Sequence, residues 1–138
     1  MLPKSISNKM KSGSSKEGAF ITYLLISAVQ AHVHHLTVNG NGSYAAHKAL
    51  NEYYDGIVDL ADGIAESLTG SKGSILGGYS GTFSINEDPK SALAYLKEVL
   101  AYVNTERASI SSESFIQNQI DNVVELLNST IYKLTQLS

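Results

Sequence analysis

All four histidines of this 138-residue chain, His32, His34, His35 and His47, lie between Gln30 and Leu68, with five of its thirteen carboxylates. The chain has no cysteine, which excludes disulfides, thiolate zinc sites and cysteine nucleophiles. A metal here must be held by imidazole nitrogen and carboxylate oxygen, a donor set suited to iron or zinc. At about 100° per residue, Asp55, Asp59, Asp62 and Glu66 fall on one helical face, in steps of four, three and four. Neighbouring like charges on a helix repel by roughly a few tenths of a kcal/mol per pair. A solvated face tolerates this, and a bound cation cancels it. His32 and His35 share a face three residues apart while His34 points elsewhere, and His47 follows the turn "NGNGS". The turn therefore brings imidazoles from two successive helices near each other.

The elements that position these groups are four helices, and no strand is predicted. The first begins at "SSKE", where Ser14 and Glu17 have capping-box spacing, and runs to about Val38, with Gly40 as its stop. Ser43 is the expected cap of the second, whose core stripe reads Leu50, Tyr54, Ile57, Ala61, Ile64 and Leu68 and which ends at Thr69-Gly70. Residues 70–87 hold five glycines and read as a long loop. Asp88 and Pro89 open the third helix, with Ala92, Leu96, Val99 and Val103 as its seam. "SISSES" precedes a fourth carrying Ile116, Ile120, Val123, Leu127, Ile131 and Leu134. Two short connections and one long one predict an all-α, four-helix bundle with a crossover between helices 2 and 3.

A helix carrying both His47 and Asp62 separates them by roughly 22 Å. Asp62 and Glu66 therefore cannot share an ion with His35 and His47 of the same chain. A site using all four needs two subunits, which a two-fold dimer would supply twice over.

These residues resemble the signature of the Dps mini-ferritins. The pattern reads His35-Leu36, Val38-x-Gly40, His47, Tyr54, then Asp62-Gly-Ile-Ala-Glu66, over about forty residues. The resemblance implies a ferritin-like bundle in which His35 and His47 of one subunit and Asp62 and Glu66 of its two-fold mate bind iron, with zinc as a substitute. It further implies a hollow dodecamer that oxidises Fe(II) with peroxide or oxygen for iron storage and oxidative-stress protection. His32 and Asp59 are either outer partners that orient the ligands or, more simply, a core histidine and a solvated aspartate. Tyr44, Tyr53 and Tyr54 are either radical traps or, more simply, packing residues. The chain departs from the family at Leu36, where a Trp is usual, and at Asn51, where an acidic residue is frequent, with Glu52 beside it. Divergent ferritin-like proteins, some encoded by bacteriophages, resemble Dps in this same segment. No Glu-x-x-His occurs in the chain, so the di-iron layout of larger ferritins is absent.

Bulk properties agree with one domain. Hydrophobic residues make up 43% of the chain, enough for a core, and no apolar run is long enough for a membrane span. Residues 1–13 are expected to form a flexible basic arm ahead of a bundle at 14–138. Residues 1–16 carry Lys4, Lys9, Lys11 and Lys16 without an acidic residue, so DNA is a weakly supported partner on a body of net charge −3. No basic head is followed directly by an apolar core, so no secretory leader is predicted and a cytoplasmic protein is expected. The competing function is a catalytically silent ferritin-like structural or DNA-associated protein.

Overall fold

The computed structural model describes residues 15–136. The basic arm, with Lys4, Lys9 and Lys11, and the expected cap Ser14 lie outside the described residues. The described chain is all-helical: α1 (Lys16–Thr37), α2 (Ser43–Lys72), α3 (Ala92–Ile110) and α4 (Ser114–Gln136), with a 3-10 turn at Pro89–Ser91 before α3. Among the described residues there is no strand, and no helix is long and apolar enough to cross a membrane.

Each helix end has a local cause. Ser15 is extended and its hydroxyl accepts from the Gly18 N–H at 2.9 Å, satisfying one of the orphan donors of α1. The residue three beyond this cap is glycine, so no capping box forms, and Glu17 instead pairs with Lys72 at 3.3 Å. The turn into α2 requires positive φ at Gly40 (83°) and Gly42 (78°), a region that glycine enters without penalty. Gly42 is the N-cap, and Ser43, expected to cap, is the first helical residue. Farther on, α2 passes Gly70 and ends at Gly73, whose left-handed backbone closes the last turn onto Thr69 and Gly70. Asp88 caps the 3-10 turn as its position suggests, accepting from the Lys90 N–H at 3.0 Å.

One core joins all four helices, with Phe20, Leu24, Leu50, Ile57, Ile64, Leu96, Val99, Ile116, Ile120 and Leu127 fully enclosed. Tyr53, rather than the expected Tyr54, completes the α2 stripe. Its hydroxyl lies 2.7 Å from Ser27 Oγ, which itself donates to the Leu24 carbonyl at 2.6 Å. With Ser27 donating backward, the phenol donates to Ser27, and this partner is what makes a buried tyrosine hydroxyl affordable.

Polar contacts at both ends fix the helix directions. Glu17–Lys72 at one end and His35–His47 at the other make α1 and α2 antiparallel. Glu52–Lys133 at 2.8 Å and a Ser71–Glu113 hydrogen bond do the same for α2 and α4. Tyr23 stacks on Tyr102 while His34 faces Tyr95, so α3 runs antiparallel to α1. Arg107 ties α3 to α4 by donating to Gln117 and Asp121. The segment between α2 and α3 lies along α1. Ser15 bonds the carbonyls of Gly77 and Gly78, Gly81 sits against Thr22 and Ile26, and Asn86 pairs with the Gln30 amide through two hydrogen bonds.

Candidate metal-ligating histidine pair

His35 sits on the last turn of α1 and His47 on the second turn of α2, with the glycine turn between them. Because α1 stops at Thr37, the His35 carbonyl is one of the orphan acceptors of a helix C-terminus. His47 Nδ1 fills it at 3.0 Å, and His35 Nδ1 reaches the His47 carbonyl at 2.8 Å. The rings stack with centroids 3.5 Å apart and planes 26° apart. A carbonyl only accepts, so each Nδ1 must carry the proton. In the neutral rings each Nε2 is then an unprotonated donor to a cation, the tautomer in which a backbone carbonyl holds a metal-binding imidazole. His35 is nearly enclosed and His47 is exposed.

An aromatic patch extends from the pair. His35 meets Tyr54 edge-on at 5.3 Å, and His32 stacks on Tyr54 at 4.1 Å. The Tyr54 hydroxyl donates to Asn51 Oδ1 at 2.5 Å, and the Asn51 amide donates to Asp55 at 3.2 Å. Asn51, at the position where the resemblance has an acid, is thus a link between a phenol and a carboxylate. Beyond Tyr54 a shallow cleft of about 500 Å³ opens between α1 and α2, with His32, Asp55 and Asp59 on its walls and Val29 and Val58 beside them.

Asp62 and Glu66 are exposed on α2, one turn apart. Among the described residues no three His, Asp or Glu side chains are gathered closely enough to hold a metal. Within one chain, then, the structure brings His35 to His47 and leaves Asp62 and Glu66 on the open surface. His34 is separate. It is buried against α3, accepts at Nε2 from the Gln30 amide at 3.0 Å, and has no partner for Nδ1. Burial pushes its pKa down, against a smaller upward pull from Asp88. Tyr44 is largely exposed, unlike Tyr53.

Sequence reasoning missed that His32 shares a cleft with Asp55 as well as Asp59, and that Tyr54 joins the histidines. Counting outward from Gly40 along two antiparallel helices brings His32 level only with Lys48, so chain counting stops short of Tyr54 and Asp55, and the stacking of His32 on Tyr54 is what places it there. Residues 35–134 match the model of a family described as a family of unknown function (DUF5856). No curated protein and no solved structure matches the chain.

Proposed function

We propose that this chain, which belongs to the DUF5856 family of unknown function, is a ferritin-like, Dps-like protein that binds and oxidises Fe(II) at a site shared by two subunits. The observation that carries the reading is the mutual bonding of His35 and His47, which commits both Nδ1 protons and leaves both Nε2 atoms unprotonated in the neutral rings. Three further features support it. Asp62 and Glu66 are exposed, one turn apart, and free of ion pairs among the described residues. Exposed Val29, Leu36 and Val58 accompany them on the α1–α2 side, giving a partner apolar surface to cover. The long segment at 73–88, lying along α1, supports the reading, since a ferritin-like bundle needs a long connection between its second and third helices.

A two-fold partner whose α2 crosses in antiparallel sense near Tyr54 and Asp55 pairs His47 of one copy with Asp62 of the other, twice. In that arrangement Asp55 lies near its own copy, while Asp62 and Glu66 lie toward the partner's His47, where a cation would offset the carboxylate charge. His35 and His47 are neutral donors, Asp62 a terminal carboxylate and Glu66 a bridging one. Anionic oxygen favours Fe(III) over Fe(II), so binding lowers the potential and promotes electron loss. Two Fe(II) and one H2O2, with two protons, give two Fe(III) and two H2O without releasing hydroxyl radical. Zinc fits the same donors and would inhibit by occupancy. Higher assembly to a dodecamer belongs to the same proposal.

The test is Fe(II) addition under peroxide, followed by ferric absorbance. Wild type is expected to exceed buffer at least tenfold in initial rate, and His35→Ala and Asp62→Ala to remove the excess. Equal rates for wild type, variants and buffer would instead favour the catalytically silent scaffold.

A further inference from the structure

At the end of the molecule where α1 and α4 finish and α2 and α3 begin, a cavity of about 330 Å³ opens between the helix ends. Buried Leu50 and Ala92 lie at its base, and Ala46, Leu93 and Leu134 form its walls. Among the described residues, Lys90 is its one charged lining residue and no acidic side chain lines it. Lys90 is exposed and makes no ion pair among the described residues. Asp88, the nearest carboxylate in sequence, is occupied in capping the Lys90 backbone N–H.

We infer that this cavity binds an amphipathic monocarboxylate, its aliphatic chain on the leucine walls and its carboxylate at the rim beside Lys90. Size sets the chain length. The volume is at the lower end of the range for small-molecule pockets, which suits a chain of about eight carbons rather than a long-chain lipid. Charge sets the head group. A rim whose described residues offer one unpaired ammonium and no carboxylate favours an anion over a neutral or cationic head. The first turn of α2, also at the rim, agrees in sign, since it has neither an acidic residue nor a side-chain cap. The inference does not depend on iron chemistry, because none of His35, His47, Asp62 and Glu66 lines the cavity.

Octanoate is the probe, with octanol as its uncharged match, titrated into the full-length protein and followed by amide chemical shifts. Saturable shifts should centre on Ala46, Leu50, Ala92 and Leu93, and octanoate should bind more tightly than octanol. Lys90→Gln, a surface change, should weaken octanoate about fivefold and leave octanol unchanged. Ala46→Phe, which fills the cavity, should abolish both while helical circular dichroism is retained, and Lys90→Gln decides the matter if that variant does not fold. Equal affinity for octanoate and octanol, shifts centred elsewhere, or octanoate binding untouched by Lys90→Gln would overturn the assignment.

Discussion

His34 and His35 are neighbours in sequence with opposite circumstances, and the difference is set by which way a helix turns each ring. His35 faces α2 and finds a carbonyl; His34 faces inward and finds an amide. Gln30 is anchored by both of its amide atoms to the Asn86 backbone, so its remaining N–H must donate to His34 Nε2, which holds that ring neutral in the folded state. The folded pKa is depressed by burial, so below the ordinary value of 6.5 the unfolded chain binds a proton that the folded chain does not. Stability should therefore be full above about pH 6.5 and fall as the pH drops beneath it. Urea unfolding between pH 7.5 and 5 should show this loss in wild type and a smaller slope in His34→Gln. Tyr53→Phe is a second test at this scale. It strands the Ser27 hydroxyl without its donor and should cost about 1 kcal/mol by the same measurement, with burial having already pushed the Tyr53 pKa up.

At the scale of elements, the 73–88 segment is held by hydrogen bonds from the Ser15 and Gln30 side chains, by buried Leu76, and by close backbone approach to α1. A Cβ added at Gly18 would lie 2.5 Å from the Gly78 carbonyl, which is backbone and cannot rotate away. Gly18→Ala should therefore destabilise by roughly 1–3 kcal/mol, as overpacking does, and should speed hydrogen exchange at Asn86 more than at Leu96. This dependence was not legible in the sequence, because Gly18 stands inside a helix and its reason lies sixty residues away in space-filling contact. What was legible followed helical period and turn chemistry. The seams of α3 and α4 are buried largely as the spacing required, with Ile131 and Leu134 only half-buried toward the open end of α4. Tyr53 and Tyr54 could not be distinguished by period, since both make legal steps from Leu50 to Ile57. The choice depends on Ser27, a hydroxyl on another helix. Likewise Ser14 and Ser15 are equivalent as letters, and the cap at Ser15 is marked by its bonds to Gly18 and Gly78. The histidine pair was readable as proximity across a turn, while its tautomer needed the two carbonyls.

For the whole molecule, the proposal turns on two groups of donors on one chain, His35 with His47 near the start of α2 and Asp62 with Glu66 farther along it, so that a four-ligand site would be complete only between copies. Light scattering should give a dimer or a multiple of it, and His47→Ala should reduce bound metal per chain at unchanged mass. The most direct measurement mixes two inactive variants. His35→Ala alone breaks both sites of a dimer, and so does Asp62→Ala. Unfolded together and refolded at equal amounts, they yield mixed dimers in which one site has an intact histidine pair from one chain and intact carboxylates from the other. The account predicts recovery of about one quarter of wild-type ferric formation, since half of the dimers are mixed and half of their sites are whole. If the refolded mixture, containing mixed dimers, remains as inactive as each variant alone while wild type is active, the shared site is contradicted.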